Sequence, residues 1–179
     1  LGSIVQKRDA RMALRTILHY PNPRLRLKAK PVTKFDDSLQ QLIDNMFETM
    51  YEDHGGGLAA TQIDVQLQVA VIDSAGDKNN TYILINPEIL ETAGTRKMEE
   101  GCLSVPGIFE VVERCYYVKV KALDRQGKEI IIESQGDYLA ACLQHEIDHL
   151  NGKLFVDYLS SLKLNRAKKK MQKLAKVVL

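Results

Sequence analysis

Between residues 36 and 53 apolar side chains recur at i, i+3 and i+4: Leu39, Leu42, Ile43, Met46, Phe47 and Met50 form one stripe. That period predicts an amphipathic helix, capped by Asp36, Asp37 or Ser38 and stopped by Gly55, Gly56 and Gly57. The rhythm then changes. VAVID (69–73) and YILIN (82–86) are short apolar runs that read as strands, with Pro87 closing the second. YYVKVKAL (116–123) alternates with period two, DRQG turns, and KEIIIE returns as the second arm of a hairpin. Helical spacing resumes over residues 137–151, ended by Gly152 at the C′ position, and again over residues 160–177. Strands in the middle and helices at the flanks predict an α+β fold.

Composition narrows this little. The chain has 179 residues, 45% hydrophobic and 27% charged, with net charge +2. That size suits one domain with its own core, and the composition excludes a disordered, fibrous or membrane-spanning chain. The longest apolar runs fall far short of a membrane span, and no N-terminal segment has the apolar core of a secretory signal. Cys102, Cys115 and Cys142 are an odd set without a disulfide framework, which points to a reducing cytoplasm. LGSIVQKRDAR lacks an amphipathic pattern, so residues 1–11 read as a non-native leader, with Met12 the natural start and residues 12–179 one catalytic domain.

Chemistry enters at QHEIDH, residues 144–149. At a rise of about 1.5 Å per residue, His145 and His149 lie one turn apart on one helix face and can hold one metal ion. Glu146 points about 100° away from His145. It can contact a metal-bound water and take its proton. The alternative is a solvated helix with two histidines. A third ligand is needed. Phe155 stands where a metzincin would carry its third histidine, and no Glu follows Glu146, so an upstream residue is implied. The candidates are His19, His54, Cys102 and Cys142. Cys142 is seven residues from His149, about 10.5 Å along the axis. That is too far for a Zn–S bond of about 2.3 Å, which leaves it a lining or core role. Cys102, in EEGCLSVPG, is favoured because neighbouring backbone N–H groups can stabilise a thiolate. His54 is its main rival. His19, in HYPNP, reads as a surface residue and Cys115 as strand core. GGGLAATQ (55–62) lacks phosphate-loop spacing. It reads either as a helix stop and small-residue turn or as a close backbone approach to a ligand, with Gln62 an uncharged amide donor for an oxyanion.

GGGLAATQ, EGCLS and QHEIDH, in that order, resemble the peptide deformylase family, which carries G-x-G-x-A-A-x-Q, E-G-C-L-S and Q-H-E-x-D-H. The likeness extends from about Ile17 through Tyr158 and takes in HYPNPRLR, LINPEI, Val112 to Arg114 and DHLNGKLF. The resemblance implies a monomer with antiparallel β-strands packed around a central HExxH helix, followed by a C-terminal helix. It implies hydrolysis of the N-formyl group from N-formyl-methionyl nascent peptides, releasing formate, with metal-bound water attacking the formyl carbon. By matching positions, Cys102, His145 and His149 would bind the metal, and Glu146 would act as general base. Gln62 and the Leu103 N–H would stabilise the oxyanion. Gly57 would lie beside the peptide, and Tyr138, Ala141 and Cys142 would line the methionine pocket. Glu100, Arg114 and Asp148 would hydrogen-bond around the metal ligands; ordinary surface ion pairing is the alternative for these three. One divalent metal is implied, Fe2+ as the native ion, with Zn2+ or Ni2+ able to replace it.

Two positions depart from the family pattern. Gly56 stands where many relatives hold Ile or Val, which would loosen the loop or widen the pocket rim. Phe109 stands where some bacterial relatives hold Arg near the peptide's tail. Residues 158–179 carry seven Lys or Arg and no acid, so residues 160–179 read as a basic amphipathic helix. It is either a core-packed helix with a solvated face or, by the resemblance, a ribosome-docking element. A bacterial cytoplasm is the expected setting, with an organelle the other. The rival readings are a zinc peptidase and a structural zinc module on RNA.

Overall fold

The computed structural model describes residues 14–178. The reading of residues 1–11 and of Met12 lies outside the described residues.

Helix α1 (Asp37–Glu52) forms over the predicted stripe. Asp36 caps it, accepting the Leu39 N–H at 3.1 Å, and Leu39, Leu42, Ile43, Met46 and Met50 are buried. Seven strands follow among the described residues: β1 (Gly57–Ala59), β2 (Val69–Ile72), β3 (Tyr82–Ala93), β4 (Arg96–Cys102), β5 (Val105–Arg114), β6 (Tyr117–Leu123) and β7 (Glu129–Gln135). They pair antiparallel, in a five-stranded sheet of order β1-β2-β3-β6-β7 and a two-stranded unit β4-β5. Helix α2 (Tyr138–Leu150) packs against β1, β2, β6 and β7, and helix α3 (Ser161–Val178) packs on β5.

The helices explain the strand patterns. All four residues of β2 are buried because both faces are covered. Ala70 and Ile72 pack with Leu143, Ile147 and Leu150 of α2, whereas Val69 and Val71 pack with Ile43, Met46 and Met50 of α1. Strand β6 alternates, burying Val118, Val120 and Ala122 against the α2 cluster. Burying a Leu such as Leu143 contributes roughly 1.5–3 kcal/mol, and truncating it to Ala would cost about 2–5 kcal/mol. A third cluster joins Val105, Ile108 and Val112 of β5 to Phe155, Val156 and Ala167, under α3.

Three expectations need correction. Pro87 does not close its strand, because β3 runs on to Ala93. The ladder shifts register between Ile85 and Glu88, so the proline, which has no N–H to donate, sits in a bulge. Asn86, with φ 50°, anchors that bulge by exchanging two hydrogen bonds with the Val32 backbone at 2.8 and 2.9 Å. Cys115 is not strand core; it lies partly buried in the link between β5 and β6. Gly57 to Ala59 form an edge strand, where a turn was one of the two expected readings. The β4–β5 hairpin had no counterpart in the hydrophobic pattern.

Candidate active site

Helix α2 starts where Asp137 accepts the Ala140 N–H at 2.9 Å. One turn separates His145 from His149, and their Nε2 atoms face each other at 3.2 Å. Strand β4 delivers Cys102 at its end, placing Sγ 3.3 Å from His149 Nε2. The three donor atoms lie within 4.8 Å of one another. His54, the main rival, is exposed beyond the end of α1 with φ 58°, and His19 is also exposed; both line the outer cavity and neither joins the donor group. Cys142 is buried on α2 and outside the donor group, as the helix geometry requires. Burial pushes its thiol up to about 12, so it is a neutral wall residue.

His149 is fully buried, and Cys102 and His145 line a cavity of about 570 Å³. Gly57, Leu103, Tyr138, Ala141 and Cys142 line it, together with Gln62, Glu100 and Glu146. Gln62 occupies the 3-10 turn Ala60–Ile63 directly after β1 and is 1% exposed. Its Oε1 accepts the Ala59 N–H at 2.9 Å, which fixes which end of the amide is the donor. Its Nε2 donates to Ser104 Oγ at 3.0 Å and lies 3.6 Å from Cys102 Sγ. The donor end therefore faces the Cys102, His145 and His149 group. Gly57 is tightly confined: a Cβ there would fall 2.5 Å from Glu146 Oε2. Gly56 lines the cavity beside Tyr138. A Cβ there would meet Tyr138 Oη at 3.1 Å, so the phenol already occupies that space.

The electrostatics are strongly biased. Glu146 is buried, and its Oε1 has no hydrogen-bond partner among the described residues. Burial raises its pKa to about 7, against the downward pull of His145. Glu100 behaves oppositely. Burial works to raise it, but hydrogen bonds from Arg114 at 2.8 and 2.9 Å and from His145 Nδ1 at 2.9 Å outweigh that and hold it at about 2. Arg114 also donates to Asp148 Oδ2 at 2.6 Å. Glu100, Arg114 and Asp148 thus form a continuous, largely buried ion-pair chain ending on His145, rather than scattered surface pairs. Burial disfavours charge on both histidines. The neighbouring Glu146, Cys102 and Glu100 still raise His145 well above the ordinary range, while burial and His145 together depress His149.

Four residues of the site carried no sequence signal of their own role. Ser104 orients Gln62. Thr61 Oγ1 donates to the His149 carbonyl at 3.2 Å and ties the end of α2 to the Gln62 turn. Gln144 accepts from the Cys115 N–H at 2.9 Å and donates to its carbonyl at 3.0 Å, clamping the β5–β6 link to α2. Tyr158 donates to Asp148 at 2.7 Å. Ser104, Thr61 and Gln144 did stand inside the quoted motifs.

The family model described as polypeptide deformylase matches residues 14–165. The chain belongs to the polypeptide deformylase family. The peptide deformylase of Cellvibrio japonicus is 54% identical over 163 residues, covering 90% of this chain and 96% of the relative. A crystal structure of a peptide deformylase from Legionella pneumophila superposes with a TM-score of 0.89 at 54% identity, covering 92% of this chain and 96% of that one. The peptide deformylase of Synechococcus elongatus, solved in complex with actinonin, gives a TM-score of 0.84 at 41% identity, covering 88% of this chain and 87% of that one. The deformylase fold matched here comprises antiparallel strands and three helices, and Cys102, His145 and His149 form the one group found among the described residues that could hold a metal ion. No described helix is long and apolar enough to cross a membrane.

Proposed function

We propose that this chain hydrolyses the N-formyl group from N-formyl-methionyl nascent peptides, releasing formate and a free N-terminus. One observation carries the reading: Cys102 Sγ and two imidazole Nε2 atoms converge within 4.8 Å, and Cys102 and His145 share one cavity with Glu146 and Gln62. The donor set fits a divalent ion. With their protons displaced by the ion, Cys102 Sγ and the two imidazole Nε2 atoms would present lone pairs toward one point, and His145 is fixed as an Nε2 ligand by its Nδ1 contact with Glu100. Fe2+ is the native ion the family likeness supports, with Zn2+ and Ni2+ suited to the same ligands. When bound, the ion would supply Lewis acidity, polarising the formyl oxygen and acidifying water.

The chain's own residues account for the remaining steps. Glu146 takes the proton of the attacking water, and its raised pKa of about 7 suits it to return that proton to the leaving amine. Gln62 Nε2, with the Leu103 N–H, receives the charge that develops on the formyl oxygen. Its carbonyl end is already engaged by Ala59, so it pays no reorientation cost. Gly57 keeps its backbone clear for the extended peptide. Tyr138, Ala141 and Cys142 enclose the methionine side chain. Residues 12–179 act as one catalytic domain, and the lysines of α3 dock it to the ribosome. The bacterial sources of the relatives support a cytoplasmic setting.

The test is formate release from formyl-Met-Ala-Ser by the iron-loaded protein, alongside Glu146→Ala. The parent should turn over, and the variant should lose about 10²–10⁴-fold in kcat while retaining its metal. A parent that binds iron and releases no formate would overturn the proposal.

A further inference from the structure

Tyr158 sits at the end of the 3-10 turn Phe155–Tyr158, between α2 and α3. It is 40% exposed, yet its hydroxyl is fully committed, donating to Asp148 Oδ2 at 2.7 Å. That oxygen also accepts from Arg114 Nη1 at 2.6 Å. The Arg114 guanidinium carbon lies 4.7 Å from the Tyr158 ring centroid, and Lys153 Nζ lies 4.2 Å from it. The phenol therefore touches both members of the Arg114–Asp148 pair, one through its hydroxyl and one through its face. Arg114 in turn grips Glu100 with two hydrogen bonds, and Glu100 holds His145 Nδ1 at 2.9 Å. The same turn reaches His145 by a second route, since the Phe155 ring stacks on it at 6.0 Å between centroids. Its own placement is fixed by Asp157, which accepts the Leu154 N–H and both NH groups of Arg26.

We propose that Tyr158 is a positioning residue for the metal centre, acting through Asp148, Arg114 and Glu100 to aim His145 Nε2. This rests on the metal-centre reading above. The physical reason is the geometry of a guanidinium. Its five N–H groups form a rigid fork, so the side held by Asp148 determines how the other side presents to Glu100. Asp148 is 20% exposed at its side chain, against 4% for Glu100, so it is the link most open to water. The Tyr158 hydroxyl satisfies the carboxylate and its ring covers the guanidinium, which keeps water from substituting for either contact. Without both, the fork can tilt, Glu100 loses its register, and the imidazole moves off the tolerance of about 0.5 Å that a ligand constellation needs.

Two variants separate the contributions. Tyr158→Phe keeps the ring over Arg114 and removes the hydrogen bond. Tyr158→Leu removes both. Each is loaded with Co2+, whose visible spectrum reports ligand geometry, and the rate of Co2+ loss to a chelator is measured with the melting temperature. Partners of metal-ligating histidines typically change affinity about 10–100-fold. For this more distant residue the expected acceleration of metal loss is about threefold in Tyr158→Phe and about tenfold in Tyr158→Leu, with a shifted Co2+ spectrum in both. A purely structural role would lower the melting temperature and leave the spectrum of the folded, loaded protein unchanged; that result overturns the proposal. Should Tyr158→Leu not fold, Tyr158→Phe decides alone. A parent that shows no thiolate-to-Co2+ absorption overturns the metal-centre reading itself. Normal absorption in the parent with unchanged variants overturns only the role of Tyr158.

Discussion

A methyl group on Gly57 would sit 2.5 Å from Glu146 Oε2 and 3.0 Å from the carboxyl carbon. Strand β1 cannot yield to relieve this, because Leu58 and Ala59 are fully buried and laddered to Val71 and Ala70. Glu146 must move instead, and its Oε1 has no partner among the described residues to hold it. A misplacement of about 1 Å can cost about 10²-fold in rate. Gly57→Ala should therefore lower kcat on formyl-Met-Ala-Ser by about 10–100-fold, with metal content and far-UV circular dichroism like the parent's. An unchanged kcat would show that Glu146 is not held in a fixed catalytic position.

Gly56 and Tyr138 should behave as one unit. A Cβ at Gly56 would lie 3.1 Å from Tyr138 Oη and 3.3 Å from Cε1. Gly56→Val should push the phenol out of place and raise KM for formyl-Met peptides. Tyr138→Ala frees that space, so the double variant should recover much of the loss. Contacting residues typically couple by about 0.5–3 kcal/mol. A double-mutant cycle on kcat/KM measures it, and strictly additive effects would separate the two residues.

Asp157 supplies a pH signature away from the candidate metal ligands. Burial acts to raise its carboxyl, but the hydrogen bonds from Arg26 and the Leu154 N–H, with Lys153 nearby, hold it below the usual range. An acid whose folded pKa is depressed stabilises the fold above its unfolded pKa of about 3.9. That contribution disappears as pH falls through the lower folded value. Asp157→Asn should lower the melting temperature at pH 7 by about 2–4 °C, the shift for roughly 1 kcal/mol at this size. The gap between parent and variant should narrow below about pH 4. A gap constant from pH 7 to pH 3 would mean that the carboxylate's charge is not what matters.

Periodicity exposed the elements whose burial is one-sided or complete over several residues, namely α1, α2, α3, β2 and the β6–β7 hairpin. It failed at β4, because RKMEEGC is largely charged, buries only Glu100 fully and takes its strand form from pairing with β5. Pro87 misled for a local reason: a residue that cannot join a ladder can still sit in its bulge. The convergence of His145 and His149 was legible because i, i+4 spacing follows from helix geometry alone. The groups that aim them were not. Ser104 lies 42 residues from Gln62, Arg114 lies 34 from Asp148, and nothing local to either residue encodes the contact.

The last helix offers a separable test of ribosome docking. Deleting residues 160–179 would strip Ala167 and its neighbours from the cluster holding Ile108, Val112 and Phe155, so truncation would confuse docking with folding. Charge reversal avoids this. Lys168, Lys169, Lys170 and Lys173 are exposed, and the described ion pair of this helix is instead Lys163 with Glu110 at 3.6 Å. Reversing Lys169, Lys170 and Lys173 to Glu should leave the fold and kcat on a short peptide near the parent's. Co-sedimentation with ribosomes should fall at least tenfold at about 0.1 M salt, where each lost phosphate contact still matters. It should also become less sensitive to added salt. Equal co-sedimentation of parent and variant would restrict α3 to covering β5.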